Sequence, residues 1–282
     1  LCGEQDADLY EEKGNYEEQR NRLEERRQRA VGEIFATGGM LSVLEFAGAV
    51  ESSWRVGFAF GMVATSDADR AVLPTLLETE NRSLAQFAGG IVRGRFRSGG
   101  WQWIDAIGTS EWTPAQIGQL LAYLPFTSDT WNRSTRLLGE DESPYWTRTN
   151  ASPYDAETDL EVAIDRLTEH GRPYAALRCL HRMRYDKQPL NNQQAVRALL
   201  AALRSSEGPH AMDAYEVAEI IKALQDDPGT NPDDLFRVEW AYLPLLDRHH
   251  GASPKSLEQR LADDPGSFCE VIRTVFRSKN EE

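Results

Sequence analysis

Apolar residues recurring at i, i+3, i+4 and i+7 constrain this chain more than any other feature in it. Leu160, Ala163, Ile164 and Leu167 form one such stripe, and Val196, Leu199, Leu200 and Leu203 a second. Val217, Ile220, Ile221 and Leu224 answer it, and Ile117, Leu120, Leu121 and Leu124 carry the same period in the first half. That period gathers apolar side chains on one side of a helix, and a helix apolar on one side must bury it against a neighbour. No run alternates with period two between hairpin turns, so no strand is expected. The spacing predicts an all-α protein.

Local signals set the helix limits. Thr113-Pro114 is a capping residue followed by proline at the first helical position, and Pro173, Pro232, Ser253-Pro254 and Asp264-Pro265 open later helices. Helices are predicted over 40–50 and 54–64, with Ser53 capping the second, then from Ser66 or Asp67 to Leu77. Another should run from Asn81 to Arg97 and stop at Gly99-Gly100. Leu235, Val238, Tyr242, Leu245 and Leu246 are expected on a single helix after Pro232.

Glu11–Arg29 mixes both charge signs, with Glu18 four before Arg22 and Glu25 four before Arg29, the favoured order for helical ion pairs. It reads as a long solvated helix ending at Gly38-Gly39, so that 1–30 is a charged helical connector. Glu140–Asp155, with Pro144, Pro153 and Tyr145-Trp146, reads as a linking segment packed on its neighbours. The expected subdomains are 31–150 and 151–282. The stripes beginning at Leu160, Val196 and Leu235 recur after 36 and 39 residues, about one helix pair. An irregular right-handed α-solenoid of antiparallel helix pairs, HEAT-, armadillo- or TPR-like in architecture, fits this better than a four-helix bundle. No tetratricopeptide or ankyrin signature is present.

Glycine inside a helix costs about 1 kcal/mol relative to alanine, so Gly57 with Gly61 and Gly90 with Gly94 need a reason. Spacing of four puts each pair on one helix face, where a missing side chain lets a second backbone approach. Arg55, Arg93, Arg95 and Arg97 interrupt both segments, which favours close packing in a soluble protein over a membrane dimer motif. Arg93 and Arg97 share a face, and Trp101 and Trp103 follow at once. With Trp131 and Trp146 they form the candidate recognition groove: arginine and tryptophan suit an acidic peptide, a phosphate or a base. The competing reading places the tryptophans in the core and pairs the arginines with acids.

The balance of charges, 31 basic against 45 acidic, gives −14. It disfavours general binding to nucleic acid or anionic membrane, which wants a basic footprint. Cys2, Cys179 and Cys269 are odd in number and far apart, which suits a reducing, cytoplasmic setting and neither a disulfide frame nor a zinc site. No apolar run long enough to span a bilayer stands out. The absent initiating methionine, with the charged ending at Lys279-Asn280-Glu281-Glu282, suggests a fragment excised from a longer protein, although a removed leader or tag would leave the same N-terminus.

Chemistry-bearing motifs are missing. His249-His250 are adjacent and diverge on a helix, His181 lies two residues from Cys179, and His170 and His210 stand at turns. No metal or other cofactor is expected. No G-x-S-x-G elbow or G-x-x-x-x-G-K-[ST] loop occurs, and paired acids such as Asp226-Asp227, Asp233-Asp234 and Asp263-Asp264 sit at helix edges, where capping accounts for them. The chain is therefore not expected to be an enzyme.

Four phrases carry a resemblance: Arg93-Gly-Arg-Phe through Gly100-Trp-Gln-Trp, Leu124-Pro-Phe to Trp131, Glu239-Trp-Ala-Tyr-Leu-Pro-Leu-Leu, and Leu261-Ala-Asp-Asp-Pro-Gly-Ser-Phe. They resemble the helical C-terminal region of very large, mostly uncharacterised bacterial proteins, over most of Val31–Lys279. In some of those an NTPase-like or other effector module lies upstream, and a defence or stress role is suspected. The motifs are structural, and no active-site residue comes with them. The leading expectation is a non-catalytic domain that recognises a protein or peptide, or other domains of its parent chain, as sensor or scaffold. The alternatives are a nucleic-acid-binding helical repeat using Arg93, Arg97 and the adjacent tryptophans, and an enzyme whose site is dispersed along the chain.

Overall fold

The computed structural model describes residues 16–155, 160–205, 213–246 and 253–275. Among the described residues every regular element is a helix and no strand occurs, as the periodicity predicts. Cys2, His210, His249, His250 and the first fifteen residues of the expected connector lie outside the described residues. The chain divides into two compact units, Leu1–Asn150 and Ala151–Glu282.

The first unit holds α1 (Tyr16–Ala49), α2 (Ser53–Val63), α3 (Ser66–Leu77), α4 (Arg82–Ala106), α5 (Pro114–Ala122), α6 (Ser128–Leu138) and the single turn α7 (Ser143–Trp146). Two glycine stops turn out to be kinks. Gly39 takes φ 66°, ψ −163° inside α1, and Gly100 φ 55°, ψ −149° inside α4, and the helix resumes after each. Only glycine reaches such angles cheaply, so each glycine redirects the helix without ending it.

The charged half of α1 is less solvated than its composition predicts. Leu23, Arg27 and Val31 are buried, and Arg27 bonds Glu24 at 2.6 Å. Glu18 and Arg22 pair as expected at 2.6 Å, whereas Glu25 and Arg29 do not pair. The apolar half of α1 contains an 18-residue stretch that by length and composition alone could cross a membrane, which the sequence reading did not single out. Only 17% of that stretch is buried, and Leu41 is 76% exposed.

Helix α3 starts at Ser66 as expected, with Thr65 as its cap. The cap of α2 shifts by one residue. Ser52 stands at the α2 cap position, while Ser53 is buried, its hydroxyl donating to the Ala47 carbonyl at 2.8 Å and lying 3.0 Å from that of Ser83. Asn81 caps α4 through Leu84 N–H, and Thr113 with Gln116 forms a full capping box at α5.

The second unit holds α8 (Glu161–Glu169), α9 (Pro173–Tyr185), α10 (Asn192–Ala202), α11 (Ala214–Asp226), α12 (Pro232–Ala241), a 3₁₀ turn at Leu243–Leu245, α13 (Lys255–Asp263) and α14 (Pro265–Val275). The helix expected through Leu246 ends at Ala241, because Pro244 lacks the N–H that an α-helix would need there. Helix α8 packs on α9 and α10, α9 on α10 and α11, and α10 on α11 and α12. Their cores are the predicted stripes: Ala163, Ile164 and Leu167 of α8, Val196 and Leu199 of α10, and Ile220, Ile221 and Leu224 of α11 are all buried.

Glu239 of α12 is fully buried, the one acid inside an otherwise apolar stripe. It accepts Gln225 Nε2 at 2.6 Å and the backbone N–H groups of Ser256 at 3.2 Å and Leu257 at 2.6 Å. Those N–H groups are orphan donors of the first turn of α13. The carboxylate thus caps α13 from another helix.

Candidate recognition surface

Helices α2 and α4 make the most extensive contact in the first unit, and the two glycine pairs are the reason. A Cβ on Gly57 would overlap the Phe87 carbonyl oxygen, and one on Gly61 that of Ile91. From the other side, a Cβ on Gly90 would overlap the Trp54 carbonyl oxygen and one on Gly94 that of Phe58. Each pair therefore faces the backbone of the opposite helix, so the two helices touch main chain to main chain. The spacing of four anticipated this contact. The result is a tightly seated α4 with no side-chain layer to yield beneath it.

Below Gly94 the same face continues into a buried polar knot. Arg95 donates through Nε and Nη2 to Asp69 Oδ2, each at 2.8 Å, and through Nη1 to the Ala64 carbonyl at 2.9 Å. Trp103 Nε1 donates to the same Oδ2 at 2.9 Å, and the guanidinium lies 5.6 Å from the Trp103 ring centre. Asp69 is 2% exposed. Sequence reading missed Asp69 and Arg95, although a signal existed: Arg95 follows Phe87 and Ile91 at intervals of four and so belongs on the buried face.

Arg93 and Arg97 emerge on a different side of α4. Arg93 is half-buried and Arg97 exposed. Among the described residues neither has a hydrogen-bond or ion-pair partner. Half-buried Trp101 meets the Phe96 ring edge-on at 4.8 Å and carries the Arg133 guanidinium 4.0 Å above its ring. Arg133 also bonds Asp105 at 3.2 Å, and Arg136 bonds it at 3.0 Å. The hydrogen bond from Arg133, aided by that from Arg136, holds the Asp105 carboxyl below its usual range.

The other three tryptophans of the expected groove are core residues. Trp103, Trp131 and Trp146 are 7%, 4% and 1% exposed. Trp131 and Trp146 pack around Phe126, with ring centres 5.0 Å and 6.2 Å from it. Trp146 Nε1 donates to buried Glu142 at 2.6 Å, and Thr135 donates to the same carboxylate at 3.0 Å. The linking segment is therefore packed, as its aromatics predict. The accessible remainder of the candidate set is Arg93, Arg97 and Trp101.

The second unit has an open cleft of about 380 Å³ lined by Arg184, Gln188, Asn192, Asp226 and Asp227. Cys179 lies in the core, where burial pushes its thiol up to about 12. His181 faces Glu216 at 3.6 Å. Among the described residues no three His, Cys, Asp or Glu side chains converge as metal ligands would. Comparison of the chain with known protein families, with curated proteins and with solved structures finds no match.

Proposed function

We propose that this chain is a recognition domain for a protein or peptide partner and does its work without catalysis. One observation carries the reading: among the described residues Arg93 and Arg97, one turn apart on α4, have no ion-pair or hydrogen-bond partner, and they stand on a helix seated main chain to main chain, with half-buried Trp101 following in the same helix. Arginine and tryptophan are among the residues that dominate protein-interface energetics. A rigid support lowers the ordering cost of binding. The stacking of α8, α10 and α12 on one another, with α9 and α11 beside them, supports an irregular α-solenoid, an architecture that presents extended binding faces. The resemblance to helical regions of large bacterial proteins supports a role inside a longer parent chain.

The test is affinity capture from native bacterial lysate with the wild type and with Arg93→Ala/Arg97→Ala, identifying the retained proteins by mass spectrometry. Loss of one specific protein from a variant with unchanged far-UV circular dichroism is the expected result. Capture that the variant leaves intact, or nuclease-sensitive capture of nucleic acid, overturns the reading.

A further inference from the structure

The charge of this chain is distributed unevenly. Residues 172–187, which contain α9, hold five Arg or Lys and a single acid, in a protein of net charge −14. Arg182 of that helix lies between two tyrosines, its guanidinium 4.8 Å from the Tyr154 ring centre and 5.7 Å from that of Tyr185. The two rings are 74% and 75% exposed. Asp186 braces Arg182 at 2.7 Å. One turn earlier, Arg178 is exposed and has no ion-pair partner among the described residues.

The end of α9 adds an independent sign. Lys187 closes the helix with φ 58°, its N–H donating to Arg184 O at 3.1 Å while Gln188 N–H reaches Met183 O at 2.9 Å. This Schellman closure ordinarily takes glycine. The preceding helix closes identically with Gly171 at φ 75°, its N–H reaching Thr168 O at 3.2 Å and Arg172 N–H reaching Leu167 O at 2.8 Å. A lysine at the left-handed position is strained where glycine is not, yet it adds a cation at the edge of the patch.

We propose that the exposed face of α9, with Tyr154, Arg178, Arg182, Tyr185 and Lys187, docks an acidic peptide segment. The cations complement carboxylates, and the two tyrosines offer broad rings at little rotamer cost. Stacking and the Asp186 contact already order Arg182, which reduces the entropy lost on binding. The overall negative charge repels long polyanions, which favours a short acidic peptide over nucleic acid. The site lies in the second unit, whereas Arg93 and Arg97 belong to the first.

Fluorescence anisotropy of a fluorescein-labelled, Glu-rich peptide titrated with the full chain tests this, beside a Lys-rich peptide of equal length and a labelled oligothymidylate. The Glu-rich peptide should bind, more weakly as salt rises. R178E/R182E should weaken it about tenfold or more, Y185A should weaken it, and R93A/R97A should leave it unchanged. K187G separates the site from the fold: it should raise the thermal midpoint while lowering peptide affinity. If R178E/R182E is not folded, R178E alone serves, since Arg178 has no ion-pair partner to lose among the described residues. Absence of binding, binding indifferent to these charge reversals, or preference for the oligonucleotide overturns the proposal.

Discussion

Gly57→Ala is the sharpest test of how α4 is held. On an exposed helix, alanine in place of glycine gains about 1 kcal/mol. At Gly57 the new Cβ would overlap the Phe87 carbonyl oxygen and stand 2.8 Å from its carbonyl carbon, where ordinary contact begins near 3.4 Å. Both obstacles are backbone, so no side chain can swing aside and the helices must part. Overpacking of this kind costs about 1–3 kcal/mol, and parting two helices forfeits dispersion along the whole seam. The strain outweighs the propensity gain, and a net loss of about 2 kcal/mol is expected for G57A, with a similar value for G90A. For a unit of this size that lowers Tm by about 4–8 °C. Gly32 of α1 is the control, because a Cβ there meets nothing within 4 Å, so G32A should be neutral or stabilising by up to about 1 kcal/mol. Six of the seven tryptophans lie in residues 1–150, so thermal unfolding followed by tryptophan fluorescence reports this unit. A G57A protein as stable as the wild type would refute the seam.

Three further outcomes are expected. Asp69→Ala strands the Arg95 guanidinium, whose side chain is 14% exposed, and should cost about 3–5 kcal/mol in urea unfolding, with much of that loss absent when Arg95 is also replaced. Glu239→Ala removes the distant cap of α13, so hydrogen exchange should accelerate in peptides covering 255–263, and a rate equal to wild type would contradict the capping role. The Cys179 thiol, held up to about 12 by burial against an ordinary 9.0, stays protonated in the fold while the unfolded chain ionises. Its contribution is complete below pH 9 and lost between pH 9 and 12. Buried Tyr242 and half-buried Tyr123, whose hydroxyls burial also shifts upward, act in the same sense, so the unfolding midpoint should fall over that range. In a Cys2→Ser background a thiol reagent at pH 8 should modify exposed Cys269 rapidly and Cys179 only on unfolding.

The helices were legible because each stripe is a local pattern and each start signal, such as Thr113-Pro114, is read from neighbouring residues. The glycine seam was legible for the same reason: a spacing of four specifies a face whatever packs on it. Gly39 and Gly100 were read as stops because sequence carries the break and not the direction in which the chain continues. Asp69, Arg95 and Glu239 were missed because a buried charge is allowed only by partners far along the chain: Asp69 lies 26 residues from Arg95, and Glu239 lies 18 from Leu257. The tryptophans of the expected groove divided between surface and core by tertiary packing, which spacing alone does not encode. The stacked Tyr154, Arg182 and Tyr185 were invisible for the same reason, since Tyr154 reaches Arg182 only once the chain has turned back through α8.

The proposed partner-binding surface of α4 at Arg93 and Arg97 is open to a direct measurement. A photo-crosslinking amino acid at position 97 of the full chain, expressed in bacteria and compared with the same residue at exposed position 132, probes it. A discrete protein adduct at position 97, absent from the control position and lost when Arg93 is replaced by alanine, is the expected result. No adduct at position 97, or one that nuclease removes, would contradict it.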